Sequence, residues 1–319
     1  MNNLDLSIIT PTYNTEAIIK NCIDSILKNT TNLKYEIILI DNGSTDGTLK
    51  TIRKIQKNTK KVRLVTNKKN LGFGRANNIG ALKAKGEYLL FLNSDTVVVD
   101  NALTESVNIL KNHKEIGVFS CRLLNPDLTT QESGGHFPSL LNLFAWQFFI
   151  DDLPLLDKLI PSIHPHKEGF HFWDKLINRE SVNKNSTFQD EKPDWVTGAF
   201  MMVPKKVFKE VGGFDKNIFM YTEEMELNYR ISKLGYKTVS TNNPAIIHLG
   251  KASGGSELAI TSEVKNMIYF WQKHKPGWQL PFVKFAFFVG SLLRLILFGI
   301  IKQDEKSRNT YHKALKLSL

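Results

Sequence analysis

Short apolar runs recur through the first 120 residues, each followed by a stretch whose apolar positions fall three or four apart. Leu6-Ser7-Ile8-Ile9-Thr10 reads as a buried strand stopped by Pro11. Ala17, Ile18, Cys22, Ile23, Ile26 and Leu27 then keep helical spacing, with Asn14 or Thr15 placed to cap the helix. Residues 35–40 form a second apolar run ending at Asp41, and a helix begun at Thr45-Asp46 runs through Leu49, Ile52 and Ile55. The spacing predicts further strands at 62–65, 88–92 and 116–120, with helices at 77–85 and 102–111. Strands that are apolar throughout, alternating with helices, predict an α/β fold with a mostly parallel sheet covered on both faces. Ligands of such sheets bind beyond the carboxyl ends of the strands. The turn Thr10-Pro11-Thr12-Tyr13, Asp41 and Asp95 each stand at such an end, so three strand ends converge on one crevice.

The pattern changes between 125 and 194, where six prolines mix with Phe144, Trp146, Phe148 and Phe149. One helix near 140–150 and much irregular chain are expected, as in lids and binding loops. His164, His166 and His171 fall here without a carboxylate or cysteine at ligand spacing. Order returns with a strand at 196–203, a helix at 205–211 begun by Pro204, a helix at 223–234 closed by Gly235, and short strands at 237–240 and 245–248. The tail at 282–301 is long and apolar enough to span a bilayer but contains Lys284 and Arg294. With Trp271, Lys275 and Trp278 before it, a helix lying in a membrane interface fits better, against a packed terminal helix or dimer contact as the alternative.

Composition narrows this picture modestly. Two cysteines, Cys22 and Cys121, exclude a disulfide framework and suit a reducing compartment. Residues 1–5 lack the basic start and apolar run of a secretory signal. The net charge of +11 gathers at 50–85 and 265–316, a balance that attracts phosphorylated substrates, anionic lipid or nucleic acid alike.

The candidate chemistry is carboxylate-rich. Gly72-Phe73-Gly74 is only part of a dinucleotide fingerprint and follows a loop, and the stretch 41–47 lacks the ligands of a calcium loop. Asp41 at a strand end can accept from a base N–H or a ribose hydroxyl, or equally bond the backbone of its own turn. Asp95, in Asn93-Ser94-Asp95, can hold a divalent cation that also binds substrate phosphates. In Glu223-Glu224-Met225-Glu226, Glu224 lines up with the inward stripe Leu227 and Ile231, while Glu226 lines up with Arg230 on the outer face. Glu223 shares a side with Leu227. The helix N-terminus favours the ionised form of these acids, as a general base requires. His248 ends a strand, as a metal ligand or as a satisfied structural residue.

The order of these stretches resembles family 2 glycosyltransferases over residues 4 to about 255. The resemblance is carried by Ser7-Ile8-Ile9-Thr10-Pro11-Thr12-Tyr13-Asn14, Asp41-Asn42-Gly43-Ser44-Thr45-Asp46-Gly47-Thr48, Asn70-Leu71-Gly72-Phe73-Gly74-Arg75-Ala76-Asn77 and Leu92-Asn93-Ser94-Asp95-Thr96. Gly198-Ala199-Phe200-Met201, Val211-Gly212-Gly213-Phe214-Asp215, the acidic helix and His248 follow in sequence. It is most similar to bacterial rhamnosyltransferase-like members, which build surface polysaccharides.

The resemblance implies a GT-A fold of the nucleotide-diphospho-sugar transferase type over 1–255, with an acceptor or lid insertion at 125–194. A C-terminal amphipathic helical tail at 256–319 follows. It implies an inverting transfer from a dTDP- or UDP-sugar to a glycan or lipid-linked acceptor. Thr10, Pro11, Tyr13, Asp41, Arg75 and Asn93 would hold the nucleotide. Asp95 and His248 would hold Mg2+ or Mn2+, Trp195 and Gly198 would meet the acceptor, and Glu224 with Glu223 would supply the base. Asn93 stands where many relatives have the first Asp of an Asp-x-Asp motif, and Glu224 where relatives usually have Asp. Further expectations are a peripheral place at the cytoplasmic face of the plasma membrane, an anionic lipid surface as partner, an oligomer as an option, and no nucleic acid. Two rivals differ in class. A dehydrogenase needs a glycine fingerprint where Pro11-Thr12-Tyr13-Asn14 stands, and a non-catalytic glycan- or membrane-binding scaffold would tolerate Asn93 and Glu224.

Overall fold

The computed structural model describes residues 4–151, 153, 159–164, 193–250 and 256–319. These fall into two compact units. The first takes the described residues up to 134, then 193–219 and 223–250. The second takes those from 135 to 164, then 220–222 and 256–319. The insertion expected at 125–194 is thus divided, and most of its described part groups with the tail.

In the first unit the chain runs β1 (Leu6–Thr12), α1 (Glu16–Asn29), β2 (Tyr35–Asp41), α2 (Thr48–Asn58), β3 (Val62–Thr66), α3 (Phe73–Lys83), β4 (Tyr88–Leu92), β5 (Thr96–Val98) and α4 (Ala102–Asn112). It continues through β6 (Ile116–Leu124) and the two-residue β7 (Thr130–Gln131). After the insertion, whose helix α5 (Leu140–Gln147) belongs to the second unit, come β8 (Phe200–Pro204), α6 (Lys205–Glu210), α7 (Glu223–Lys233) and β9 (Lys237–His248). The sheet order is β3-β2-β1-β4-β8-β6-β9-β5, with β7 on β6. The first four strands are parallel, β8 runs antiparallel to both neighbours, and β9 is parallel to β6 and antiparallel to β5.

Strand alternation feeds two cores. Leu6, Ile8, Ile37 and Leu39 face Ile19, Ile23 and Ile26 of α1, Ile52 of α2 and Leu103 of α4. Ile9, Ile38, Ile40 and Phe91 face Ala76 of α3, Val207 and Phe208 of α6, and Leu227 and Ile231 of α7. Each fully buried Ile or Leu contributes about 1.5–3 kcal/mol, so both faces must stay covered. The two cysteines are free and buried, and burial pushes the Cys22 thiol up to about 11, as suits an inert core residue.

The strand of 88–92 is where the pattern put it, and several boundaries move for identifiable reasons. β1 runs through Pro11 because pairing with β4 ends at Ile9. Thr12 faces β2, its carbonyl accepting from the Asn42 N–H (2.8 Å). Pro11 therefore turns its missing N–H to the side where the ladder has stopped. Neither Asn14 nor Thr15 caps α1 with its side chain. The apolar run at 196–203 is broken by Thr197 and Gly198, so only Phe200–Pro204 joins the main sheet. Lys237–His248 is one strand with a register shift between Ser240 and Ala245, around a cis Asn243–Pro244 bond. β5 is too short to show a period.

The second unit holds α5 (Leu140–Gln147), α8 (Ser256–His274), α9 (Leu280–Arg294) and α10 (Glu305–Ser318). α9 continues as a π-helix, Leu295–Ile301. A reciprocal cap between Ser139 and Asn142 starts α5. Arg294 closes it, donating to the carbonyls of Gln147 (2.7 Å) and Trp146 (2.9 Å) with its guanidinium over Phe149. Asn266 of α8 donates to the carbonyls of Met220 and Tyr221, which ties 220–222 to this unit. His164 packs on Trp146 and lies 2.8 Å from Glu263. Burial alone would lower its pKa, but the Glu263 carboxylate outweighs it and holds the imidazole above its ordinary value. His164 is therefore half of an ion pair; His166 and His171 lie outside the described residues.

Candidate active site

The nucleotide end is built by one asparagine that the sequence reading quoted but gave no role. Asn42 follows β2. Its Oδ1 accepts from Asn67 Nδ2 (3.0 Å) and the Leu71 N–H (3.2 Å), while Nδ2 donates to Asn70 Oδ1 (2.9 Å) and the Gly72 carbonyl (3.3 Å). This clamp shapes the loop ahead of α3. Gly72 sits at φ +85°, where a side chain would be strained and would run into the Phe219 carbonyl. That carbonyl accepts from the Phe73 N–H (3.0 Å), so the helix begins at Phe73 instead of residue 77.

Asp41 pairs with Thr12 across the β1–β2 ladder and is buried. The turn reading accounts for one of its oxygens. Oδ2 accepts from the Gly43 and Ser44 N–H groups (3.2 Å each), while Oδ1 is buried with no hydrogen-bond partner among the described residues. A buried carboxylate oxygen without a partner is expensive unless a ligand supplies the donor. The Thr10 hydroxyl is buried in the same condition. Pro11 lies opposite Ile40, and Tyr13 exposes its ring. Arg75, on the first turn of α3, is exposed and donates from Nε to the Lys216 carbonyl (2.6 Å).

Asp95 follows β4 and is 2% exposed. The β9–β5 register sets His248 opposite Thr96, and the Leu249 N–H donates to the Asp95 carbonyl (2.9 Å). His248 Nε2 consequently lies 3.4 Å from Asp95 Oδ1. The other ring nitrogen is 2.6 Å from Gln131 Oε1. Gln131 Nε2 donates to Asn125 Oδ1 (3.2 Å), which turns its Oε1 toward the histidine. In a neutral ring that contact puts the proton on Nδ1, so that Nε2 would present its lone pair toward a carboxylate oxygen. Two acceptors facing each other suit a shared cation. Among the described residues no three His, Cys, Asp or Glu side chains cluster. A cation at Asp95 and His248 would therefore take its remaining oxygens from a ligand, as Mg2+ does with phosphates. Gln131 escaped the sequence reading because nothing local marks it; only the β6–β7 hairpin brings it to a residue 117 positions away.

Asn93, half-buried, connects this end to the acids: its N–H donates to the Ala199 carbonyl (3.2 Å). Next to Ala199, the Gly198 N–H donates to Glu224 Oε1 (3.0 Å). A methyl group on Gly198 would sit 2.6 Å from that oxygen and 2.7 Å from the Phe73 ring, so only glycine lets backbone and carboxylate meet. Trp195 is buried three residues earlier. Glu223 is 1% exposed, and its Oε2 has no hydrogen-bond partner among the described residues. Burial raises the Glu223 pKa well above the usual value, and the neighbouring Glu224 charge raises it further. Burial also raises Glu224, against the Gly198 N–H that steadies its ionised form. The helix terminus alone argued for easily ionised acids, but desolvation wins. Glu226 bonds Arg230 as the spacing predicts, but inside the fold instead of at the surface. It is 0% exposed and takes Arg230 Nε and Nη2 (2.6–3.0 Å), while that guanidinium also binds the carbonyls of Val211 and Gly213.

Comparison with known proteins matches residues 7–181 to the glycosyl transferase family 2 model. The chain is 26% identical over 250 residues to the O-antigen biosynthesis protein RfbC of Myxococcus xanthus, covering 78% of this chain and 17% of that protein's length. It is 23% identical over 265 residues to the N-acetylglucosaminyl-diphospho-decaprenol L-rhamnosyltransferase of Mycobacterium tuberculosis, covering 77% of each. Its fold is similar to that of GalNAc-T7, solved with UDP, GalNAc and Mn2+ (TM-score 0.63, 19% identity, 99% of this chain and 56% of the other). The architecture is the GT-A fold.

Proposed function

The chain belongs to glycosyl transferase family 2 and is a glycosyltransferase, and from that premise we propose that it moves rhamnose or a similar hexose from a dTDP- or UDP-sugar. The acceptor is a hydroxyl of a lipid-linked or growing surface glycan, met at the cytoplasmic face of the plasma membrane. The observation that carries this reading is the linked set Asp95–Asn93–Ala199–Gly198–Glu224. It joins a carboxylate–imidazole pair to a half-buried base through two hydrogen bonds donated by backbone N–H groups. The rhamnosyltransferase of M. tuberculosis supports the sugar, and the Mn2+ of GalNAc-T7 supports a cation.

Each group then has a task. Asp41 Oδ1 and the Thr10 hydroxyl take the polar edge of the nucleoside, and Arg75 adds positive charge on the first turn of α3. A divalent cation at Asp95 and His248 would neutralise the charge that grows on the departing diphosphate. Glu224 keeps Oε1 on the Gly198 N–H, which leaves Oε2 to receive the proton of the acceptor hydroxyl. The acceptor oxygen bonds to the anomeric carbon as the bond to the diphosphate oxygen breaks. Attack from the face opposite the departing diphosphate inverts the configuration.

The test is transfer by purified protein across a panel of dTDP- and UDP-sugars. At least one donor is expected to turn over with Mn2+ or Mg2+ and to stop when EDTA removes the metal. Undiminished turnover in EDTA, or none with any donor, goes against the reading. Gln131→Ala is expected to weaken Mn2+ binding, read from the free-ion spin resonance signal, by about 10–100-fold, because it frees the His248 ring to turn. Parent-like affinity would remove Gln131 from the site.

A further inference from the structure

The outward face of α9 and its π-helical continuation carries no charge. Trp278, Phe282, Phe285, Leu292, Ile296 and Ile300 are exposed, and they recur at intervals of four, three, seven, four and four along the chain. The opposite line, Val283, Ala286, Phe287 and Gly290, is buried within the second unit. A helix at the surface of a soluble protein ordinarily shows polar residues to water, and an uninterrupted apolar stripe there marks a surface meant to be covered.

Three occupants compete: the hydrocarbon core on all sides, a second copy of the chain, or the interface of a bilayer. Gly277–Ile301 is 25 residues, long and apolar enough to cross. Crossing, however, would carry its packed neighbours along. α10 lies against α9 and holds Lys306, Arg308, Lys313 and Lys316, each costing about 2.5–3.5 kcal/mol at the bilayer centre. Arg294 is fixed to α5 and is not free to reach toward a headgroup. Charge separates the remaining two. Residues 256–319 hold ten lysines and arginines against four acids, with Lys275 and Lys302 at the two ends of the apolar segment and Trp278 at its start. Two copies would bring those cations together, whereas an anionic leaflet neutralises them.

We propose that this face docks on an anionic lipid bilayer, with α9 lying in the plane of the interface, its exposed aromatic and aliphatic side chains among the upper acyl chains, and no crossing. The proposal concerns the second unit alone and stands or falls independently of the sugar chemistry.

The full chain is mixed with vesicles of phosphatidylcholine, or of phosphatidylcholine with 30% phosphatidylglycerol (about a third anionic, enough to set a surface potential), and floated on a density gradient. Binding to the anionic vesicles is expected, weakened by salt. Phe282→Ser with Phe285→Ser should reduce partition at least ~10-fold, given the apolar area each ring buries, with circular dichroism unchanged. Trp278 emission, taken as the difference from Trp278→Phe, should be quenched more by lipids brominated near the headgroup than near the methyl ends. Equal binding to both vesicle types, no binding, or parent-like partition of the double variant overturns the proposal. So does deeper quenching by bromine at the methyl ends, which means a crossing helix, or dimerisation lost in the same variant, which means a second copy.

Discussion

Glu224→Gln is expected to lower kcat by about 10²- to 10⁴-fold, the range general base catalysis contributes, while nucleoside diphosphate affinity stays within about twofold. The amide oxygen can still accept from Gly198, so the local backbone keeps its place. What is lost is the lone oxygen able to take a proton. The pH dependence distinguishes Glu224 from Glu223. In the parent, kcat/KM should fall on an acid limb above the ordinary glutamate range, because burial raises both acids and the Glu224 charge raises Glu223 further. Glu223 is the more strongly raised of the two and is still neutral while Glu224 ionises, so Glu223→Gln should leave the limb in place with activity retained. In Glu224→Gln the limb should disappear with the activity. The opposite assignment of these two outcomes makes Glu223 the base.

The same pair affects stability. A carboxyl whose folded pKa is raised stabilises the fold fully below its unfolded value of about 4.3, and that contribution is lost as pH rises through the folded value. Either glutamine variant should therefore melt higher than the parent at pH 8, with the difference shrinking toward pH 4. A melting temperature unchanged at both pH values would mean that the pair is better solvated than its burial indicates.

Asp95→Ala is expected to abolish detectable Mn2+ binding and to cut turnover about 10³-fold or more, since a Lewis-acid cation stabilises the transition state by several kcal/mol. The size follows from the sequence. With asparagine at 93, Asp95 is the carboxylate of its stretch, and no second one stands near enough among the described residues to make a cluster of three ligands with His248. Its structural part is modest, because the backbone carbonyl that holds Leu249 survives the substitution. Turnover restored by raising Mn2+ a hundredfold would show that the cation is held chiefly elsewhere.

Legibility along the chain followed how local each determinant is. The strand 88–92 is readable because burial on both faces leaves an unbroken apolar run, and α1 and α4 because one buried side leaves an apolar stripe at helical spacing. The start of α3 was not, because the Phe219 carbonyl and the Asn42 clamp decide it, and neither lies within a helical turn. Glu226 was paired correctly and placed wrongly. Helical spacing gives direction around an axis, but the carbonyls of Val211 and Gly213 that make a buried Arg230 tolerable come from another loop. For the site, Asp41, Asp95 and His248 stood out as strand-end chemistry, while the rise in the two glutamate pKa values needed the burial of α7, which no motif displays.

On the proposed function, Glu224 and the Asp95 pair carry out one direct displacement at the anomeric carbon. The measurement that reaches it most directly is the anomeric configuration of the first-formed product by proton NMR, with the accepted donor and Mn2+ present. A product of configuration opposite to the donor is expected. A product of retained configuration would contradict it, since retention requires a second displacement or attack on the face the diphosphate leaves.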